Sequence, residues 1–401
     1  MTLPQFKIRV FTLEGLGAFA TAYYFNYIFF VLKEQYHFTA YDNLRFCALN
    51  GFVFAFSALY GGRYAQKHGY YQALTVGCGI MAASLGASAL TNSSLGLIIT
   101  MVVWTFGMCF TWPTLEAMAC EKENAVWLPR MIAIYNIVWA GGAAVAYFSG
   151  GWIRQKLGDS SIFWVPILLH LAQIILVHKT RKQLPGAQHD LEARPSIPEE
   201  EVPHEATPEL NRKFQRLALI ANPFAYIAMC TIIPLIPDLA VRLQLSPAWT
   251  GVYCSIWLFA RLAAFMVLGL WTGWHYRFNW MIISYLLLIL TFCGLLLMSN
   301  LWWIALAQLV LGWSFGLIYY SSLYYAMDAS DTKGEHGGIH EAAIGSGIFA
   351  GPAIGAASLY FSPATANAPV YAVATTLVIG LGVLIRASGL PRGGEKTVAK
   401  H

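Results

Sequence analysis

Long apolar stretches recur along this chain, and short polar segments separate them. A helix needs about 20 mostly apolar residues to cross the hydrocarbon core of a bilayer. Twelve stretches are of about that length, at 10–32, 43–62, 71–91, 95–118, 130–152, 161–178, 216–240, 249–271, 278–298, 301–327, 337–361 and 368–387. The pattern therefore predicts an all-α integral membrane protein with twelve transmembrane helices. The first stretch is too long for the apolar part of a cleavable signal peptide, so we interpret it as the first span.

The longest polar segment, 179–215, divides the predicted helices into two sets of six. It contains the run RPSIPEEEVPHEATPEL, whose proline and glutamate residues provide little apolar surface to bury. We therefore expect a cytoplasmic linker between an N-terminal six-helix bundle at 1–178 and a C-terminal bundle at 216–401, which includes a short tail.

The two halves resemble each other in sequence. WTFG at 104–107 in the fourth span returns as WSFG at 313–316 in the tenth span, 209 residues later. The same offset relates Ala117, Met118 and Gly142 to Ala326, Met327 and Gly351, and an offset of 207 relates Gly62 to Gly269. Repeats of this kind indicate a duplicated six-helix unit with a binding site between its two copies.

Composition supports a membrane location and excludes other classes. Of the 401 residues, 57% are hydrophobic and 11% are charged, and the mean hydropathy is +0.54, whereas about a quarter of residues are charged in soluble domains. The net charge of +5 does not predict nucleic-acid binding, because the basic residues form no patch.

The distribution of basic residues predicts the orientation. With twelve spans and both termini in the cytoplasm, five basic residues fall outside the cell, namely Lys33, Arg45, Arg154, Lys156 and Arg242. Nearly all the others fall in cytoplasmic segments, as the positive-inside rule requires. We therefore expect a multi-pass protein of the cell (inner) membrane with cytoplasmic N and C termini.

The segment after the second span resembles a signature of the major facilitator superfamily (MFS). It reads GRYAQKHGYYQAL from Gly62 to Leu74, and the superfamily pattern is G-x-L-A-D-R-x-G-R-K-x-x-L. Gln66 stands where the family has Asp, and two tyrosines replace the later basic pair. The resemblance implies two pseudo-symmetric six-helix bundles and transport by alternating access. It also implies a gating loop that contains Gly62, Gln66, Lys67 and Gly69.

Four sites with ionisable side chains, one of them a pair of adjacent residues, are candidates for transport chemistry, because such groups are costly inside a membrane. Glu14 in the first span is a candidate proton-coupling residue, with Glu116 in the fourth span and the pair His340 and Glu341 in the eleventh. Arg261 lies near the middle of the eighth span and needs a carboxylate or an anionic solute as its partner. For each of them a structural ion pair or, for His340 and Glu341, a helix N-terminus is the alternative.

Neutral polar and aromatic residues complete the candidate substrate site. Amide side chains inside a membrane need hydrogen-bond partners, and aromatic rings can provide stacking surfaces. With Arg261, the candidates are Trp257, Asn26, Tyr23, Tyr27, Asn136, Trp139, Asn222, Tyr320 and Tyr324. Helix packing is the alternative for the aromatic residues.

No catalytic motif, metal-ligand spacing or nucleotide-binding loop is found, so we expect no enzyme activity, no cofactor and no metal. The seven cysteines are interpreted as small core residues. We expect a monomeric secondary transporter of a small organic solute, coupled to protons or another cation, and an anionic solute if Arg261 faces the cavity. The alternatives are a proton-driven multidrug efflux antiporter and a non-transporting membrane sensor or assembly partner.

Overall fold

The fold is known from a computed structural model, which describes residues 2–91, 93–124, 126–183, 207–328 and 333–389, without the side chains of 208 and 326–342. In these ranges the chain forms thirteen helices. They are α1 (Leu3–Tyr36), α2 (Ala40–His68), α3 (Tyr70–Ala89), α4 (Ser94–Cys120), α5 (Leu128–Leu157), α6 (Ser161–Lys182), α7 (Pro208–Arg242), α8 (Pro247–Cys254), α9 (Ile256–Leu270), α10 (Phe278–Leu297), α11 (Leu301–Asp328), α12 (Lys333–Phe361) and α13 (Ala368–Ser388).

Twelve spans within the described residues are long and apolar enough to cross a membrane, which confirms the predicted number. Eleven of them are single helices, and the eighth consists of α8 and α9 together. Ser255 lies between these two helices and its Oγ donates to the Val252 carbonyl at 2.8 Å. The predicted span at 249–271 is therefore present, with a break in the helix at this residue.

The second span is longer than predicted. It was expected to end at residue 62, but α2 continues to His68, so that Gly62, Gln66 and Lys67 lie in its last turns. Arginine, glutamine and lysine favour helix, and a helix can extend past the hydrocarbon core into water. The turn to α3 is made by Gly69 alone, with φ at 89° and ψ at 151°, a conformation that suits glycine.

The helices pack as two bundles, α1–α6 and α7–α13. In the first, α1 packs against α5 and α6, and α3 packs against α4 and α6. In the second, α7 packs against α12 and α13, and α11 packs against α9 and α10. The bundles meet along two seams, where α2 contacts α12 and where α5 contacts α8 and α9. This arrangement confirms the predicted fold class.

Glycines allow the bundles to approach closely along both seams. An added Cβ at Gly51 of α2 would overlap the backbone around Phe349 of α12, and one at Gly151 of α5 would overlap the backbone of Pro247 in α8. Close backbone approach at small residues is the usual way in which helices pack inside a membrane.

The ends of the helices define two faces of the molecule. Residues 2, 183, 207 and 389 lie at one face of the molecule, here called the terminal face. The connections that follow α1, α3, α5, α7, α10 and α12 lie at the other, here called the opposite face.

Candidate functional site

A cavity of about 180 Å³ lies between the two bundles. Its wall comes from α1, α2, α4 and α5 of the first bundle and from α7, α9, α11 and α12 of the second. Nine of the residues that line it are aromatic, namely Phe25, Phe54, Trp104, Trp112, Tyr135, Trp139, Tyr226, Trp257 and Tyr319. Its charged lining residues are Glu14, Glu116 and Arg261.

The lining follows the internal repeat. On α7, residues 226, 229, 230 and 233 line the cavity, each 208 residues after a lining residue of α1. On α9, residues 257 and 261 follow residues 50 and 54 of α2 by 207. The two bundles therefore contribute equivalent positions but different chemistry. Arg261 in the second bundle corresponds to Phe54 in the first.

Arg261 is 5% exposed, and none of the ion pairs among the described residues includes it. Its guanidinium carbon lies 4.5 Å from the ring centre of Trp139 and 5.2 Å from that of Trp257. Nη1 donates to the Met229 sulfur at 3.6 Å, which is a weak acceptor, and Nε has no partner. The structure thus contains a buried cation that faces a cavity and rests on indole rings.

Trp139 belongs to the first bundle, so its contact with Arg261 joins the two bundles through α5 and α9. Asn136, one turn earlier, is fully buried, and its Oδ1 accepts a hydrogen bond from Trp139 Nε1 at 3.0 Å. Asn136 does not line the cavity. It orients the ring on which Arg261 rests.

Glu14 and Glu116 line the same cavity and are close enough to interact electrostatically. Glu14 is 3% exposed, accepts a hydrogen bond from Tyr135, and leaves Oε2 without a partner. Eleven residues separate Glu14 from the start of α1, which places it about 17 Å along the helix. Lys7 caps α4 just beyond Glu116, because its Nζ donates to the Ala119 carbonyl at 2.7 Å.

Asn26 and Asn50 are the amides of the cavity wall in the first bundle. Asn26 lines the cavity, and its Nδ2 donates to the Ala22 carbonyl one turn earlier at 2.7 Å. Asn50 of α2 accepts a hydrogen bond from the Thr105 hydroxyl at 2.5 Å. Both amides therefore have protein partners.

A second, much smaller cavity of about 10 Å³ lies beside Arg261. It shares Tyr226, Met229, Arg261 and Tyr319 with the main cavity and adds Asn222. Asn222 is fully buried, and neither its Nδ2 nor its Oδ1 has a hydrogen-bond partner.

Contacts between the halves lie on both sides of the cavity, toward the opposite face and toward the terminal face. At the opposite face, Lys33 of α1 forms an ion pair with Asp238 of α7. Toward the terminal face, Leu128 and Ile132 of α5 form an apolar cluster with Leu323 of α11.

Four of the predicted tyrosines lie away from the cavity. Tyr23 and Tyr27 share a face of α1 as expected, but this face packs against α5, and the Tyr27 hydroxyl also lies against Gly251 of α8 in the second bundle. Tyr23 forms a hydrogen bond with Ser161 at 2.7 Å, and the Tyr27 hydroxyl donates to the Tyr147 carbonyl at 2.6 Å. Tyr320 and Tyr324 pack on Trp274, outside the cavity wall.

The side chains of His340 and Glu341 lie outside the described residues, although α12 includes both positions. The predicted gating residues lie at the terminal face, at the junction of α2 and α3.

Sequence reasoning missed several lining residues. Tyr135 precedes Trp139 by one helical turn, so the stripe through 135, 139 and 143 could have been found from spacing. Tyr226 and Met229 follow Asn222 at i+4 and i+7, so helical spacing places them on the same face of α7 and could also have identified them. Trp104 was noted only as part of the repeated motif.

No group of histidine, cysteine, aspartate or glutamate within the described parts of the chain could hold a metal ion. The seven cysteines, all within the described part of the chain, form no disulfide, and five of them are buried, namely Cys47, Cys78, Cys109, Cys230 and Cys254.

Comparison with known proteins identifies the fold. No protein-family model matches the sequence, and no curated protein matches it. Solved structures of transporters do match nearly the whole chain. The nucleoside transporter NupG is 12% identical with a TM-score of 0.71, over 96% of this chain and 100% of that one. A bacterial homologue of the human drug peptide transporters PepT1 and PepT2 is 13% identical with a TM-score of 0.69, over 96% and 98%.

A third structure agrees with these two. A bacterial homologue of the human lysosomal transporter Spinster, described as inward-facing and unoccupied, is 11% identical with a TM-score of 0.64, over 96% and 95%. The chain therefore has the fold of the major facilitator superfamily, as its sequence predicted. Identities at this level establish the fold and leave the solute open.

Proposed function

We propose that this protein is a secondary transporter that moves a small organic solute through the membrane by alternating access. The observation that carries the proposal is the cavity of about 180 Å³ between the bundles, which has Glu14 on one wall and Arg261 on the other. A cavity whose two walls belong to different rigid bundles can open to either side as the bundles rock.

The solute would rest against Arg261 and the aromatic wall. A buried guanidinium without a carboxylate partner favours an anionic group on the solute, because such a group would supply the missing counter-charge. Trp139, Trp257, Asn26 and Asn222 would contribute stacking surfaces and hydrogen bonds.

Proton coupling would use Glu14 together with Glu116. Two carboxyl groups close together in a medium of low dielectric do not readily carry two negative charges, so protons exchange at such a pair. His340 and Glu341 remain candidates for the same pathway. Because a ligand shifts an equilibrium only through different affinities for its states, the proton must bind more tightly in one orientation than in the other.

The chain would lie in a cell (inner) membrane with both termini in the cytoplasm and would act as a monomer. The terminal face would then be cytoplasmic and the Lys33–Asp238 pair external. The basic residues at the terminal face favour this orientation.

The test is transport in proteoliposomes with an imposed pH gradient. For wild-type protein, we expect the gradient to drive solute above its equilibrium concentration. Glu14→Gln should abolish this accumulation and retain exchange of solute between the two sides, because the neutral amide mimics a permanently protonated carboxyl. Full accumulation by the variant would refute the role of Glu14.

Multidrug efflux by proton antiport is the second candidate, and the nine aromatic residues of the cavity wall favour it. It predicts binding of cationic and neutral drugs of varied shape. A buried Arg261 repels cations, so replacement by leucine should strengthen the binding of a cationic drug if this candidate is correct.

A further inference from the structure

Two of the seven residues that line the small cavity beside Arg261 carry polar atoms that have no hydrogen-bond partner in the protein. Nε of Arg261 and both amide atoms of Asn222 are buried and make no hydrogen bond. Burying a polar group without a hydrogen-bond partner is energetically costly. Two residues with such atoms beside one small space therefore indicate a ligand that is bound for part of the transport cycle.

The size of the space limits what enters it. A volume of about 10 Å³ holds about one water-sized atom. The space adjoins the main cavity, with which it shares Arg261, Tyr226, Met229 and Tyr319. An oxygen atom can therefore occupy it while the rest of the molecule lies in the larger cavity.

The internal repeat singles out Asn222. The lining residues of α7 follow those of α1 by 208, and the same offset relates Asn222 to Glu14. The position that carries a carboxylate in the first bundle thus carries an amide in the second. An amide can donate a hydrogen bond to an anion at a place where a carboxylate would repel it.

We propose that Arg261 and Asn222 together form a carboxylate subsite, and that the solute is a monocarboxylate with an aromatic or apolar body. This inference rests on the proposed transport function. One carboxylate oxygen enters the small cavity, where it accepts from Arg261 Nε and Asn222 Nδ2. The second oxygen accepts from Nη2, which lies on the same edge of the guanidinium as the Nε hydrogen.

The rest of the wall matches such a solute. Trp257 Nε1 is buried without a partner and lies one turn from Arg261, so it is a further donor for the carboxylate. The remainder of the cavity presents mainly aromatic and aliphatic side chains, which suit an apolar body.

The experiment uses pairs of molecules that differ only in the charged group. Phenylacetate, 3-phenylpropionate, indole-3-acetate and hexanoate are compared with their primary amides by titration calorimetry on the purified full-length protein. We expect at least one acid to bind at least tenfold more tightly than its amide. Asn222→Leu should weaken that acid about 10- to 100-fold, as expected for a lost hydrogen bond to a charged group, and its amide less than threefold.

Gln308→Leu is the matched control. Gln308 is a second buried amide of the same bundle whose Nε2 and Oε1 both lack partners, and it lines neither cavity. This variant should bind the acid as wild type does. An equal loss in both variants would show a general effect of removing a buried amide, and it would overturn the subsite.

The experiments distinguish an error in the carboxylate-subsite proposal from an error in the transport proposal. If no acid binds better than its amide, or if Asn222→Leu weakens acid and amide alike, the subsite is wrong even when proteoliposomes transport a neutral or cationic solute. If proteoliposomes move no member of a panel of acids, amides, sugars, nucleosides and peptides, the transport proposal itself fails.

Discussion

Arg261 shows how one side chain can link stability and binding in this protein. Its guanidinium has no carboxylate partner in the described part of the chain, and it rests on Trp139 and Trp257 instead. A desolvated cation–π contact contributes about 2 kcal/mol. The two indoles thus offset part of the cost of burying this charge.

The contact between Arg261 and Trp139 predicts a measurable coupling. Replacing Trp139 by leucine should lower the free energy of unfolding by about 1–2 kcal/mol, because the cation loses one aromatic face. The same replacement should cost much less when Arg261 is already leucine. Reversible unfolding in mixed micelles of the two single variants and the double variant measures the difference.

Trp303 provides the control for this cycle, since it is 60% exposed on the outer surface of α11. Trp303→Leu should change stability by less than about 0.5 kcal/mol in either background. Additive effects of Trp139→Leu and Arg261→Leu would contradict the coupling.

For individual residues, the sequence predicted which charged side chains line the cavity better than it predicted which aromatic side chains do. Glu14, Glu116 and Arg261 could be singled out because an ionisable group inside a membrane needs a reason. For Tyr23 and Tyr27 the choice between cavity wall and helix packing stayed open, because helical spacing identifies a shared face but does not tell whether that face meets a cavity or another helix.

At the level of the helices, close packing between the bundles depends on individual glycines at their contacts. Gly51 of α2 lies against the backbone of α12 around Phe349, with no room for a methyl group. Gly79 of α3 is also helical, but an added Cβ there would meet nothing within 4 Å. Gly79 is therefore a suitable control position for a substitution at Gly51.

Gly51→Ala should destabilise the protein by about 1–3 kcal/mol, because the methyl group forces α2 and α12 apart. Gly79→Ala should be neutral or stabilising by up to about 1 kcal/mol, since alanine favours helix over glycine. Unfolding in mixed micelles checks both values. Equal effects at the two positions would show that the α2–α12 seam is less tightly packed than described.

Helix number could be predicted from hydropathy, because a bilayer imposes nearly the same length on every span. The break at Ser255 could not, since no proline or glycine marks it and the surrounding residues are as apolar as in unbroken spans. The extension of α2 to His68 was also missed, because hydropathy shows which residues lie in the hydrocarbon core and does not show how far the helix continues beyond it.

On the scale of the whole molecule, the ion pair between Lys33 and Asp238 joins the bundles at the opposite face. Both side chains are partly exposed, at 26% and 40%, so the pair contributes at most about 1 kcal/mol. That is enough to shift a balance between two orientations about fivefold.

Asp238→Asn should therefore raise the fraction of molecules that are open at the opposite face. A single reporter cysteine on the cavity wall, in a background without the native cysteines, would react faster with an impermeant thiol reagent added from that side. The charge-swapped double variant Lys33→Asp with Asp238→Lys should restore the slow rate. An unchanged rate in Asp238→Asn would mean that the pair does not hold this face closed.

The duplicated architecture was predictable from offsets of 207 and 209 in the sequence, and it extends to the cavity wall. How acidic and basic residues are divided between the two halves could be predicted only in part. The acids of the cavity lie in the first bundle and its base in the second, but which pairs of positions face each other depends on how the bundles dock.

The position of Arg261 on an indole of the other half has a consequence for release. While the halves are together, the charge is shielded from water and its attraction to an anion is strong. In the proposed alternating-access cycle, separation of the halves would withdraw Trp139 with the first bundle and let water reach the guanidinium. The movement that opens an exit would then also weaken the attraction between Arg261 and an anionic solute, so release would need no further trigger.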